Sequence, residues 1–530
     1  MPTVKRKPAT FTESFNALRA EWKGSHGRAD YRAAQVSRFH SGGYDIAPTG
    51  ASADYHYRSD RDYLRLIERG RQIQREDGLV GQGVGRLVTN VIQGGFNLDP
   101  DTGDADLDRA LKDEWEAWSL DPDRSDAAGE HDFTQKARFA LADAIFVGDS
   151  FHLPRRDGTV QSLEAHRART PSNTTKPVVH GVLLGPNRRH EEYWFTKEEL
   201  HPSRALRLVG DTTPVKARDE NGRRNVLHMY LPGRLSQTRG VTALAPVMDT
   251  IDQHADLQFA ALVKAQMASM VAILRERPAD SPDYQPAPIG SVAQAMETRE
   301  GYTQAIEGLA AGLDVVGAPG EKISAFGANV PGSQHFEHTL LLLTVIAVNL
   351  HLPVHVLLLD PSRTNFSGWR GAIDQARLKF AELQQWIVRG LYDPVYAWFV
   401  RRTIETNPIV NGLARKPKLD PYRHAFHAPG WSYIEPLKDA QADDLQQSRL
   451  LQSPRRIQSR RGQDWNVVSR ECVDDSGYVI RLACAKAAAI NDEFPGAGVT
   501  WRDCLTIGNA VKPVTQAAPT LIEDLEAVDA

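Results

Sequence analysis

Cysteine is scarce in this 530-residue sequence, and its scarcity excludes two architectures. Cys472, Cys484 and Cys504 crowd the C-terminal end in an odd number and without CxxC spacing, which argues against a disulfide framework and against a zinc site. A reducing compartment fits, with the thiols as ordinary helix residues. No Gly-Lys pair occurs, so there is no Walker A loop, and HExxH and GxSxG are missing as well. Gly81, Gly83 and Gly85 form only a GxGxG run without dinucleotide spacing, better read as a flexible joint or tight helix packing. The acidic runs at 101–108 and 121–132 lack the glycine and final glutamate of a calcium loop. The sequence is therefore expected to hold no catalytic residue, metal or cofactor.

Charge of one sign is lacking too. A net charge of -4 leaves no basic excess of the kind that tight phosphate binders use. The basic start, Met1 to Pro8, is not followed by an apolar stretch, so it does not read as a secretory signal. Residues 1–58 are polar and rich in Gly, Ser and Tyr, and are expected to be an arm that orders only against neighbours. Thr339 to Leu359 contains no Asp, Glu, Lys or Arg and is nominally long enough to span a bilayer. Thr344, Asn349, His351, Pro353 and His355 interrupt it, and no aromatic belt or Lys/Arg cluster flanks it. A helix buried in a subunit interface and ending before Pro353 fits better, and the same proline breaks the i, i+4 geometry that a metal would need from His351 and His355.

What is present is ordinary globular material, 41% hydrophobic and 25% charged, long enough for three or four domains of about 150 residues. The patterning is α+β. Residues 60–100 read as helix then strand, and 130–148 as a helix carrying Phe133, Ala137, Phe139, Leu141 and Ile145 roughly along one face. Between Ser150 and Leu231, short apolar runs alternate with Gly, Pro, Asn and Asp, as in a small antiparallel sheet. Val241 to Leu274 carries a long helical stripe that needs neighbours along its length. Asp249, Asp252 and Asp256 share one face of it, either a solvated face or an acidic wall. A proline-rich stretch follows, with a helical piece near Gln294 to Glu307 and strands expected at Leu313–Val316 and Lys322–Phe326. Residues 369–405 form another long helix that Pro394 should kink or divide. Residues 439–491 read as mostly helical, and 513–530 as a frayed acidic tail. Arg455, Arg456, Arg460 and Arg461 form a basic cluster, suited to phosphate, to solvent or to an intersubunit ion pair.

Five blocks, in order, carry a resemblance. Arg69-Gly-Arg-Gln-Ile-Gln-Arg75 leads into Val88-Thr-Asn-Val-Ile-Gln-Gly94, like a basic helix and a following strand. Ala144-Ile-Phe-Val-Gly-Asp-Ser-Phe151 is similar to a GDxF strand. Leu231-Pro-Gly-Arg-Leu-Ser-Gln-Thr-Arg-Gly240, with Pro246 after it, resembles an RPGQxRG turn before a long helix. Leu359-Asp-Pro-Ser-Arg-Thr-Asn-Phe-Ser-Gly-Trp-Arg370 resembles a loop of form D-x-S-x-x-N-Y-S-S-x-R, departing from it at Phe366 and Gly368. Gly430-Trp-Ser-Tyr-Ile-Glu-Pro-Leu-Lys-Asp-Ala-Gln-Ala-Asp443 resembles a WxxIDPxKDxxA block. Together they resemble the portal proteins of lambda-type tailed bacteriophages.

The resemblance implies a non-enzymatic, multi-domain portal fold assembled as a ring, typically of twelve subunits, at one capsid vertex of the virion. It implies a wing at 59–235, stem helices at 236–277 and 333–352, a clip at 278–332, a tunnel loop at 353–370, a kinked helix and wing return at 371–434, and a helical crown at 435–530. Asp360, Ser362, Arg363, Thr364, Asn365, Phe366 and Ser367 would then be the loop facing double-stranded DNA, unless the segment is a static turn. Partners implied are the terminase large subunit, head–tail adaptor proteins, and major capsid and scaffold proteins during assembly in the host cytoplasm. The rival readings are a membrane channel or secretion component built on 339–359, and a DNA-processing enzyme without recognisable motifs.

Overall fold

The computed structural model describes residues 60–172, 174–196, 212–235, 237–275, 295–299, 302–306, 313–316, 332–431 and 435–505. The N-terminal arm, most of 278–332 including the strand expected at Lys322–Phe326, and the acidic tail lie outside the described residues.

Two helices open the fold, α1 (Asp60–Glu76) and α2 (Gly78–Ile92). Asp77 divides them: its backbone is extended, and its carboxylate accepts from the N–H groups of Leu79 and Val80, a cap that restarts the helix. Val80, Val84, Leu87, Val88, Val91 and Ile92 are buried at helical spacing. This apolar face carries the helix through the stretch where a strand is expected, and strand β1 (Asn97–Pro100) forms only after a turn at Gly95, whose φ is 104°. Gly83 marks tight helix packing, since a Cβ there would lie 2.5 Å from Leu357 Cδ1.

The two acidic runs serve as helix caps. Asp104 caps α3 (Ala105–Ser119), Asp121 caps a single turn at Pro122–Ser125, and Asp132 caps α4 (Phe133–Phe146). After α4 come β2 (Asp149–Pro154), β3 (Val160–Glu164), β4 (Val178–Val179), β5 (Val182–Leu184), β6 (His190–Thr196), β7 (Thr212–Lys216) and β8 (Leu227–Tyr230). They build two antiparallel sheets, ordered β3-β2-β8 and β4-β5-β6-β7. A small core of Phe151, Leu163, Val182, Tyr193, Phe195 and Val226 joins them.

The long helix expected over Val241–Leu274 is shorter at both ends. A tight turn at Ala245–Val247 holds Pro246, α5 runs over Met248–Met270, and Val271–Arg275 leaves as strand β9. Proline belongs in a first turn, where its missing N–H has no partner to lose, and β-branched Val271 and Ile273 favour the strand. The helical piece expected near Gln294 to Glu307 is instead a hairpin of β10 (Ala295–Arg299) and β11 (Tyr302–Ile306), rich in strand-forming Thr, Tyr and Ile. The expected strand Leu313–Val316 is present as β12, parallel to β9.

Helix α6 (Ser333–Asn349) packs against α5 and ends before Pro353, which opens the short α7 (Val354–Leu358). Among the described residues no helix is long and apolar enough to cross a membrane. The helical pattern at 369–405 is divided as expected: α8 (Phe366–Ile387) passes through a π turn at Val388–Tyr392 into α9 (Asp393–Thr406), with Pro394 in the first turn of α9. Widening the coil at the π turn accommodates the proline's missing donor without breaking the rod. Then follow α10 (Pro408–Ala414), β13 (His424–His427) paired with β1, and α11 (Pro436–Ser448), α12 (Pro454–Arg460) and α13 (Trp465–Glu493).

An aromatic knot fixes the main core. The Trp115 ring on α3 meets Trp118 at 5.2 Å, Phe133 at 5.5 Å, Tyr396 at 5.6 Å, Phe399 at 5.2 Å and Phe426 at 5.6 Å. These rings come from α3, α4, α9 and β13, so one side chain ties together segments about 300 residues apart. Trp115→Ala should cost about 3–5 kcal/mol, read as a lowered urea midpoint. Gly70 on α1 abuts the end of α4, where a Cβ would lie 1.8 Å from the Phe146 carbonyl oxygen. Gly70→Ala should therefore destabilise by about 1–3 kcal/mol in the same assay, because backbone rather than a side-chain tip must move.

Candidate functional site

The motif blocks converge at two joints and one exposed loop. The first joint is centred on Asp149, the aspartate of the GDSF block, which is fully buried at the start of β2. Arg239, from the Thr-Arg-Gly turn before α5, is also fully buried and grips it with two bonds, Nε to Oδ2 at 2.6 Å and Nη2 to Oδ1 at 3.0 Å. The remaining guanidinium N–H groups donate to the carbonyls of Ala165 (2.7 Å), His180 (2.7 Å) and Ala168 (3.1 Å). All five donors of the arginine thus have acceptors, as a buried guanidinium requires.

Asp149 is equally well served. It accepts from Tyr63 Oη on α1 at 3.1 Å and from the Gly240 N–H at 3.0 Å, and His228 Nε2 lies 3.0 Å from Oδ2. Burial pushes the Asp149 carboxyl up, but Arg239 and His228 outweigh it and hold the group well below the usual carboxylate range. Burial also lowers the His228 imidazole, so the ion pair is ionised beside a neutral histidine at neutral pH. The rings of Tyr63 and Phe151 close over the guanidinium at 4.8 Å and 5.0 Å.

Backbone packing explains the glycines beside these charges. A Cβ on Gly148 would lie 2.6 Å from the Gly240 carbonyl oxygen, and one on Gly240 would lie 2.0 Å from that of Gly148. Gly148 also has a φ of 106°, which suits glycine. The turn is stitched on by Thr242 Oγ1 and Ala243 N, which both donate to the Ile145 carbonyl, and by Asn349 Nδ2 of α6, which donates to Ala243 O at 2.9 Å. One polar node therefore fixes α1, α4, both sheets and the roots of α5 and α6.

At the second joint Trp431, from the Gly430-Trp431 block, packs near Phe380 of α8 and donates from Nε1 to Asn90 O of α2 at 3.0 Å. Gln384 of α8 is buried and donates to the carbonyls of Val91 (2.9 Å) and Pro429 (3.0 Å). Gly430 permits close approach to α12, since a Cβ there would lie 2.0 Å from the Arg460 carbonyl oxygen. Sequence reasoning singled out both blocks without seeing these roles.

The loop between α7 and α8 is exposed. Leu359 takes a left-handed conformation with φ 54° and turns the chain outward. Asp360, Ser362, Arg363, Asn365, Phe366 and Ser367 are all exposed, and Thr364 is half-buried. Hydrogen bonds from the side chain and backbone of Ser362 hold the Asp360 carboxyl below its ordinary value. Asn365 caps α8, its Oδ1 accepting from Gly368 N at 2.7 Å. A Cβ at Gly368 would lie only 2.9 Å from that oxygen, so the glycine that departs from the family pattern relieves the cap.

The other expected site residues lie apart from the loop. Asp249, Asp252 and Asp256 are exposed along α5, and Asp252 is paired with Arg69 of α1. Arg455, Arg456, Arg460 and Arg461 are exposed on and just after α12, with Arg461 3.6 Å from Asp443 of α11. Among the described residues no group of His, Cys, Asp and Glu could hold a metal.

No curated protein matches the sequence. Among solved structures the chain is similar to one from the neck of an empty GTA particle, at 12% identity and a TM-score of 0.42, covering 74% of this chain and 90% of that one. It is also similar to a chain from the virion of a native gene transfer agent particle, at 12% identity and a TM-score of 0.35 with the same coverage. A family model described as phage portal protein, lambda family, matches residues 43–384, a span that takes in the GDSF block, the Thr-Arg-Gly turn, the exposed loop and most of α8. With well over half its length matched, the chain belongs to the lambda family of phage portal proteins.

Proposed function

We propose that this portal protein forms a ring, typically of twelve subunits, at one capsid vertex, and that its bore passes double-stranded DNA during packaging and ejection. The observation that supports assembly most directly is the apolar surface of the stem helices. Phe259 and Leu262 on α5 are 68% and 57% exposed, and Leu341 and Val348 on α6 are 58% and 67% exposed. Apolar side chains at such density along two packed helices are covered when the same heterologous contact repeats around a closed ring. Helices α5 and α6 then form the stem, 278–332 the clip, 59–235 the wing, and α11 to α13 the crown.

The loop at 359–368 is the narrowest contact with DNA in this reading. Its small polar side chains and its single cation, Arg363, suit a sliding surface, because each firm phosphate contact would add friction. Asp249 and Asp256 are available on α5 to repel phosphate, whereas Asp252 is engaged by Arg69. The terminase large subunit and later the head–tail adaptors would dock at the clip, with capsid and scaffold proteins around the wing. The protein would work in the virion after assembly in the host cytoplasm, without catalysis or cofactor. The membrane-channel alternative loses its basis, because α6 stops at Asn349 and no helix among the described residues suits a bilayer.

Electron microscopy and native mass measurement test the assembly. Rings with a central hole near twelve times 58.8 kDa are expected, and a stable monomer at micromolar concentration would contradict the reading. Arg363→Trp tests the channel, being cleaner than a change at Asn365, which also caps α8. Packaging or genome retention should fall at least several-fold with rings intact. Loss of the ring itself would instead assign the loop a structural role.

A further inference from the structure

The two ends of the 359–368 loop are held in different ways. At the near end, the Leu357 side chain is buried against Gly83 of α2, and Arg86 Nη1 donates to the Leu357 carbonyl at 2.8 Å. Asp360 N closes the turn onto His355 O at 3.1 Å. This anchor is apolar and partly buried, and it belongs to the main core. The far end has no such seat. Along α8 the first fully buried side chain is Ala376; before it Phe366, Ser367, Gly368, Gly371, Asp374 and Gln375 are exposed, and Trp369, Arg370, Ala372 and Ile373 are only half-buried. The Asn365 cap is internal to the helix and cannot fix where its first turns lie.

What reaches the far end from outside is α11. Arg370 Nη2 lies 3.4 Å from Asp439 Oδ1, and Nη1 lies 3.7 Å from Glu435 Oε2. Each carboxylate has a second partner: Asp439 Oδ2 accepts from the Glu435 N–H at 3.2 Å, and Glu435 Oε2 lies 2.9 Å from Lys438 Nζ. Helix α11 buries no side chain of its own, so polar tethers set its position: Arg370 on one side and Arg461 to Asp443 on the other. The Arg370 side chain is 39% exposed and those of Glu435 and Asp439 are 23% and 24% exposed, so this is an adjustable contact and not a buried lock.

We propose that Arg370 is a positioning residue that couples α11 to the loop, so that a displacement of α11 moves the loop's α8 end while its α7 end stays fixed on α2. The fourth and fifth motif blocks then have a shared purpose, as Arg370 closes one and Glu435 and Asp439 lie in the other. In the assembled portal, an event felt by the helices after residue 435 would be transmitted to the DNA-facing loop. That consequence rests on the portal reading above; the coupling itself does not.

Hydrogen–deuterium exchange of the full-length protein, followed by mass spectrometry at 359–372, tests the coupling. Asp439→Asn alters no residue of the loop or of α8, yet it should speed exchange there several-fold, while α2 and α7 peptides keep the wild-type rate. Arg370→Gln should match it, and the double variant should add little to either. Added salt should raise the wild-type rate toward that of the variants, because the pair is exposed enough to be screened. Unchanged loop exchange in Asp439→Asn, or additive effects in the double variant, would overturn the proposal. If loop exchange rises and packaging by these variants is nevertheless normal, the coupling stands and the DNA-contacting role of the loop falls.

Discussion

A single ion pair, Asp149 with Arg239, sets the terms on which the rest of this structure is built. Both side chains are fully buried and their positions are 90 residues apart in sequence. Removing two charges from water is expensive, and the cost is offset only if every lone pair and N–H finds a partner in good geometry. Here they do, and the partners come from α1, from both sheets and from the turn before α5. Satisfying the pair therefore requires these elements to arrive together, which makes the node a register mark for the fold. The facing glycines, Gly148 and Gly240, belong to the same requirement, because a side chain at either would separate the charges they flank.

From that node the architecture extends in two directions. Through Thr242, Ala243 and Asn349 it fixes the roots of α5 and α6, along which Phe259, Leu262, Leu341 and Val348 stay exposed. Through β8 it meets the long helical rod: Trp386 of α8 donates to Tyr230 O at 2.9 Å, and Gly390 in the π turn makes room for Met229. The rod then carries the exposed loop at one end and the aromatic knot around Trp115 at the other. The roots of α5 and α6, the two sheets and the exposed loop are thereby held in mechanical continuity. In this chain it is supplied by one buried node, one long helix and the Trp431 joint.

Much of this was legible in the sequence. The four blocks between Arg69 and Arg370 lie within the span that the family model matches, and Pro394 marks the division of the 369–405 helix. What failed did so for physical reasons. Val88 to Gly94 looks like a strand because valine and isoleucine favour strands, but tertiary packing of the valine face overrides that propensity. Met270 and Leu274 continue the helical period of α5, so periodicity alone hides the exit into β9. The roles of Asp149 and Arg239 are unreadable in the sequence because nothing local announces a pair 90 residues apart. The apolar exposure of Phe259 and Leu262 was likewise invisible, since a sequence stripe does not distinguish burial within a chain from burial between copies.

The most direct test of this account is a double-mutant cycle at the node, with Asp149→Asn, Arg239→Met and their combination compared by urea unfolding. If the pair organises the fold, each single change should cost about 3–5 kcal/mol by stranding the other partner, and the double variant should cost at least about 2 kcal/mol less than the sum. Additive costs would contradict the account, showing that the two residues stabilise their own surroundings separately and that the convergence of the motifs on them is not what holds the portal subunit together.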